Sequence, residues 1–89
     1  MFKDHAILRM LERGIAKNEV VETLKHGEII EEYKDDFRYP SCLMFKIING
    51  TPLHIIVAHN ASENMEIIVT VYIPDSVNFE PDFKIRKNK

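Results

Sequence analysis

The spacing of apolar residues changes once along this chain, at Gly27, and that change constrains the fold more than any other feature. Before it, apolar residues recur at helical intervals. Asp4 can N-cap a helix over 4–13, and Gly14 is its natural stop, followed by the hydrophobic Ile15. A second helix over 17–26 carries Val20, Val21 and Leu24 as its stripe, with His26 meeting its negative end and Gly27 closing it. After Gly27 the period is two. Strands are expected over 28–33, 42–48, 51–59 and 65–73, the last rich in β-branched residues. Residues 34–41, with Asp35-Asp36 and Pro40, form a loop, and 60–64 a polar turn. Asn49-Gly50 between two apolar runs is a strong hairpin signal. Pro74-Asp75 ends the last strand, and the remainder, with Phe79, Pro81 and Phe83, is irregular or a short helix folding back. The order predicts one α+β domain over 1–89, two N-terminal helices packed on a four-stranded antiparallel β-meander sheet.

The hairpin also sets a register. A two-residue turn pairs Ile48 with Thr51 and therefore Phe45 with His54. An unbulged five-residue loop over 60–64 would pair His59 with Met65 and His54 with Thr70. One face then carries Phe45, His54, Ile56, Ile68, Thr70 and Tyr72. The other carries Leu53, Ile55, Val57, Val69, Val71 and Ile73, and is the better choice for the helix-packed core. A one-residue bulge would reverse the placement of Thr70 and Tyr72.

Charge limits the function. Net charge is −2 over 89 residues and the pI is about 6.1, which argues against a surface that grips nucleic acid everywhere. Local basic clusters exist: Lys3, Arg9, Arg13 and Lys17, and a tail with Lys84, Arg86, Lys87 and Lys89. Acidic residues gather at Glu28, Glu31, Glu32, Asp35 and Asp36. Cys42 is alone, so no internal disulfide forms, in keeping with a reducing compartment. The longest apolar stretch is far short of the ~20 residues of a membrane span, and the N-terminal residues lack a signal peptide's apolar region. A soluble cytoplasmic protein is expected.

His5, Arg9 and Arg13 recur every fourth residue and share a helix stripe, with Phe2, Ile7, Met10 and Leu11 mostly on the other side. With His54, Thr70 and Tyr72 they make two histidines, two arginines and two hydroxyls, a set suited to metal-independent phosphodiester cleavage. Each also has an ordinary reading. A charged helix stripe is normally solvated, with Glu12 as ion-pair partner here; a histidine within a strand is commonly a hydrogen-bonded sheet residue; a tyrosine is commonly a packed ring with a wet hydroxyl. His54 and His59 lie five apart on one strand and point to opposite faces, and no Cys-x-x-Cys or His-x-x-x-His pair occurs, so no metal site is expected.

The whole pattern resembles a bacterial family, domain of unknown function 4258. The matching text is His5-Ala6, Arg9-Met10, Glu12-Arg13-Gly14-Ile15, Gly27-Glu28-Ile29-Ile30-Glu31, Tyr33, Tyr39-Pro40-Ser41-Cys42-Leu43, Pro52-Leu53-His54 and Thr70-Val71-Tyr72-Ile73-Pro74. That family is similar to the small RelE-type and MqsR-type toxins of the barnase–EndoU–colicin–RelE group. The resemblance implies an RNA-cleaving toxin of a toxin–antitoxin pair, with a protein antitoxin as partner and no cofactor. Carried over by matching motif are His5, Arg9, Arg13, His54, Thr70 and Tyr72. Two departures stand out. Such toxins tend to be basic and this chain is not, which also fits a member that has lost catalysis. Ala16 stands where the pattern usually has a capping Ser.

On that expectation His54 is the first choice as base or acid, because unperturbed imidazole titrates near pH ~6.5. His5 or Tyr72 is its counterpart, Arg9 and Arg13 hold the phosphate, and Thr70 orients. Arg9, Arg13, Lys17 and Arg86 are the expected RNA contacts. A joint site requires the stripe of the first helix to reach the sheet's mixed face. The rival expectation is a non-catalytic interaction domain, in which Phe45, Ile56 and Ile68 dock a second copy of the chain or an antitoxin segment. A hydrolase built on Cys42 is the weakest reading, since no base adjoins it.

Overall fold

A computed structural model describes residues 1–36 and 38–87; Phe37 of the expected loop and Lys89 of the basic tail lie outside them. Two helices, α1 (Asp4–Arg13) and α2 (Lys17–His26), precede four strands, β1 (Glu28–Tyr33), β2 (Ser41–Ile48), β3 (Thr51–Asn60) and β4 (Met65–Tyr72). The strands form one antiparallel meander in the order β1-β2-β3-β4. The α+β architecture read from the change of period is therefore the observed one.

The helices cover one sheet face. Ala6 and Met10 of α1, Ile15, and Val20 of α2 pack on Met44, Leu53, Ile55, Val57, Ile68 and Val71. α1 buries only Ala6 and Met10 and leaves the larger apolar residues Ile7, Leu8 and Leu11 exposed. The segment before the helix sets this rotation. Lys3 N donates to Ile68 O at 3.0 Å and Ile68 N to Met1 O at 2.8 Å, so Phe2 lies along β4 and the small Ala6 meets the sheet. Lys3, in extended backbone, is the N-cap rather than Asp4, and no side chain caps the helix.

At the β2–β3 hairpin Asn49 (φ 50°) and Gly50 (φ 81°) both take the left-handed region. That is what a two-residue primed turn requires and why Asn-Gly stands there. Ile48 pairs with Thr51 and Phe45 with His54 as expected. The β3–β4 connection departs from the expected register. Asn60 stays in β3 and pairs with Met65, because its Oδ1 accepts hydrogen bonds from Ser62 Oγ (2.9 Å) and Glu63 N (3.2 Å) and closes the turn one residue early. This slip turns Ile68 into the helix-packed core. A bulge at Val69, between the pairs Val57–Ile68 and Ile56–Thr70, then restores the phase. Thr70 and Tyr72 thus lie on the expected face, but His54 sits opposite Tyr72 rather than Thr70.

The chain after Pro74 is an irregular strap folded over the second sheet face. Asp75 accepts from the backbone N–H of Val77 (3.0 Å) and Asn78 (2.9 Å), and Asp82 from those of Lys84 (2.9 Å) and Ile85 (3.3 Å). These turns, with Lys87 N bonded to Asn78 O at 3.0 Å, bring Phe79 down onto the sheet, where it is buried.

Candidate functional site

His54 is completely buried on the face away from the helices. Alternation along β3 aims it there, and three rings enclose it edge-on: Phe79 of the strap at 4.7 Å between centroids, Tyr72 at 5.2 Å and Phe45 at 5.8 Å. Its Nε2 lies 2.6 Å from the Phe83 carbonyl oxygen. A carbonyl can only accept, so Nε2 carries the proton. Nδ1, 3.2 Å from the Tyr72 hydroxyl, is then free to accept from it. Phe83 holds a φ of 58°, a backbone conformation uncommon for a bulky residue, at the point where its carbonyl meets the histidine. Burial pushes the imidazole below its ordinary pKa, the Phe83 hydrogen bond opposing that shift. Burial likewise raises the Tyr72 phenol, against the pull of nearby Arg86.

Tyr72 reaches outward from this pair. It lines a cleft of about 230 Å³ with Arg13, Asp75, Asn78, Phe79 and Arg86. Arg13, the last residue of α1, arrives over the end of the sheet; Arg86 arrives on the strap. Arg86 Nε donates to both carboxylate oxygens of Glu31 (3.1 and 2.9 Å), its guanidinium lies 4.9 Å from the centre of the Phe79 ring, and Tyr33 donates its hydroxyl proton to Glu31. Contacts with Tyr33 and Glu31 raise the Arg86 pKa above its ordinary value, so it is a permanent cation. Strap and β1 are also joined by Lys84 to Glu28 at 3.0 Å.

The sequence-derived candidates therefore divide. His54 and Tyr72 are in contact, and Arg13 and Arg86 share Tyr72's cleft. Thr70 is half-buried beside them on the same face. His5 and Arg9 do not join: they project from α1, which lies on the opposite face, and Arg9 is paired with Glu12 at 2.7 Å. Lys17, at the start of α2, has its Nζ 5.2 Å from the centre of the Phe2 ring. The joint His5–Arg9–His54 site is thus not assembled. Nor is the expected apolar docking face: the strap covers Phe45, and the register slip buries Ile68 among the helices. No group of three or more His, Cys, Asp or Glu side chains that could hold a metal exists among the described residues. No helix among them is long and apolar enough to cross a membrane. Sequence reasoning missed the Phe83 carbonyl, a backbone group that leaves no residue signature. It also missed Asn78 and Glu31, although Asp75 and Asp82, both turn-forming residues, mark the strap as ordered.

Over residues 2–73 the chain matches the model of the family described as Domain of unknown function (DUF4258), and it belongs to that family. Comparison with curated proteins and with solved structures returns no match. The helices, the sheet and the His54–Tyr72 pair all lie within the matched span, whereas the strap lies beyond it.

Proposed function

We propose that this protein is a metal-independent RNA endonuclease, a toxin-like domain whose site is the cleft of Arg13, Tyr72 and Arg86. One observation carries the reading: a cleft lined by two guanidiniums, Arg13 and Arg86, beside the Asp75 carboxylate, holds a hydroxyl whose hydrogen-bond partner is a neutral histidine oriented by a third group. That is the arrangement by which proton transfer is made available to a reacting oxygen. Arg13 and Arg86 neutralise a phosphodiester and stabilise the charge that grows on its oxygens. Tyr72 takes the ribose 2′-hydroxyl proton as it passes its own to His54 Nδ1. The 2′-oxygen attacks phosphorus and the 5′-oxygen leaves. Returned through Tyr72, the same proton completes the 5′-hydroxyl, leaving a 2′,3′-cyclic phosphate. His54 acts through Tyr72 and never touches RNA, which is why its complete burial is compatible with the chemistry.

The test is degradation of RNA in EDTA by the parent, Tyr72→Phe and Arg13→Gln. Cleavage by the parent, reduced ~100-fold or more in Tyr72→Phe, the scale of a lost general acid–base group, supports the reading. Equal rates in parent and Tyr72→Phe would refute it.

A second reading, a non-catalytic domain that docks a protein antitoxin or a second copy of the chain, draws on a different observation. Ile7 (43% exposed), Leu8 (52%) and Leu11 (76%) form an apolar strip on the outer side of α1. Sedimentation equilibrium of the parent and Leu11→Glu tests the homodimer form, which requires a dimer in the parent and a monomer in the variant.

A further inference from the structure

β1 carries a bulge whose effect falls on the Tyr72 cleft. Ile30 stands as an extra residue between the pairs Ile29–Met44 and Glu31–Leu43. Strict alternation from Glu28 would send Glu31 and Tyr33 to the helix-packed face. The extra residue reverses the phase, so Glu31 falls opposite Leu43 and Tyr33 opposite Ser41. Leu43 in turn pairs with Ile56, two residues from His54, which puts both re-aimed side chains on the face of His54 and Tyr72. There they meet Arg86. The Phe79 ring lies 4.9 Å from the guanidinium and fixes the height of its plane, but a ring face leaves the group free to turn within that plane. Glu31 supplies the direction, since both its oxygens accept from Arg86 Nε, at 3.1 and 2.9 Å. Anchored at Nε, the guanidinium keeps both terminal nitrogens for other partners, and the Tyr33 and Tyr72 hydroxyls are among them. Tyr33 also donates to Glu31 Oε1 and so holds the carboxylate itself. The Glu31 side chain is 22% exposed, against 56% for Glu28 in the neighbouring ion pair with Lys84, so solvent screens it less.

We infer that Glu31 is a positioning residue of the Tyr72 cleft, delivered by the bulge at Ile30, which through Nε turns the Arg86 guanidinium toward the Tyr72 hydroxyl. Its place in cleavage rests on the reading of that cleft as the phosphodiester site, where Arg86 meets the developing charge. The pair also acts on the proton relay. Arg86 lowers the proton affinity of both His54 and Tyr72, Glu31 raises both, and Arg86 has the larger effect on each. Other charges near these rings are Asp75 beside Tyr72 and Lys84, 5.7 Å from the centre of the Phe45 ring.

The opposite signs of the two charges give a test that a change in stability would not imitate. The His54 ring is titrated by NMR in the free protein, its signal identified by its absence in His54→Gln. In Glu31→Gln the amide oxygen still accepts from Nε, so Arg86 stays while a negative charge is lost, and the His54 pKa should fall below the parent's. In Glu31→Ala the anchor is lost, Arg86 turns away and its larger effect goes with it, so the pKa should rise above the parent's. Amide exchange across residues 76–87 should stay parent-like in both variants, the sign of a closed strap. In RNA cleavage Glu31→Ala should lower kcat about 100-fold, the scale of a misplaced catalytic group, and Glu31→Gln should recover most of it. Equal downward shifts in the two variants overturn the inference, because Glu31 is then a charge and not an anchor. Faster exchange across the strap in Glu31→Ala also overturns it, making the residue a latch. Opposite shifts in a protein that cuts no RNA retain the anchor and remove the nuclease. Undiminished cleavage by Glu31→Ala takes Glu31 out of the reaction.

Discussion

His54 ties the stability of this protein to the chemistry proposed for it. Its ring is neutral because it is buried, and it is buried because the strap closes over it. Folding therefore disfavours its protonation, which makes stability depend on pH. With a native pKa below the unfolded value, the unfolded chain binds more protons in the interval between the two. Stability contributed by this residue is complete above about pH 6.5 and is lost as pH falls from there through the lowered native pKa. The midpoint of thermal unfolding should fall between pH 7.5 and pH 5. In His54→Gln that component should vanish, since the amide keeps a donor for the Phe83 carbonyl and an acceptor for Tyr72 without titrating. His54→Leu, by contrast, leaves the buried Phe83 carbonyl unpaired and should cost about 2–3 kcal/mol in urea unfolding. An identical pH slope in parent and His54→Gln would detach the slope from this ring. The pairing of His54 with Phe45 was readable from Asn49-Gly50 alone. The pairing with Tyr72 was not, because it depends on Asn60 folding its own side chain into the turn and on Val69 bulging. Each of these is a one-residue event with no periodic signal.

The secondary-structure elements were the most legible level, and their ends expose two positions where sequence and geometry disagree or agree sharply. Both helix ranges and all four strands appear in the pattern to within a residue. The rotation of α1 does not, because a helix with Ile7, Leu8 and Leu11 on one side and Ala6 on another looks amphipathic the wrong way round. Backbone pairing of Met1 and Lys3 with β4, not hydrophobicity, decides it. At the start of α2, Glu19 Oε1 accepts from Ala16 N at 2.8 Å, which is half of a capping box, and Ala16 offers no side-chain oxygen for the other half. Ala16→Ser should complete it and raise stability by about 0.5–1 kcal/mol, read as a higher urea midpoint at constant m-value. At the end of α2, Gly27 is held for space. A Cβ there would stand 2.4 Å from the Thr23 carbonyl oxygen and 2.9 Å from that of Phe45. Both are backbone atoms of elements that cannot yield separately. Gly27→Ala should therefore cost more than about 2 kcal/mol and separate α2 from β2, seen as faster amide exchange in both. A cost below ~0.5 kcal/mol would mean the junction is looser than these distances require.

At the scale of the whole molecule the question is what keeps the strap closed, since it completes the Tyr72 cleft with Arg86 and Asn78 and seals His54. Two kinds of contact compete. The ion pairs Arg86–Glu31 and Lys84–Glu28 join strap to β1, but Arg86, Lys84 and Glu28 are well exposed. Such pairs contribute about 0–1 kcal/mol each and weaken with salt. Phe79 is 3% exposed and packs its ring on the edge of His54 at 4.7 Å; truncating a buried Phe costs about 3–5 kcal/mol. The aromatic contact wins by this margin, so the strap is a hydrophobic clasp with an electrostatic trim. Phe79→Ala should lower the free energy of unfolding by about 3 kcal/mol and speed hydrogen exchange across residues 76–87. Glu31→Gln should change both by little, and 0.5 M salt should leave the parent nearly unaltered. The opposite ranking, with Glu31→Gln opening the strap and Phe79→Ala leaving it closed, would make the cover an ionic latch and render access to the His54–Tyr72 pair salt-dependent. The choice also bears on function. A clasp held by Phe79 keeps Arg86 beside Tyr72 at physiological ionic strength, so the cleft proposed as the phosphodiester site is formed in the free protein.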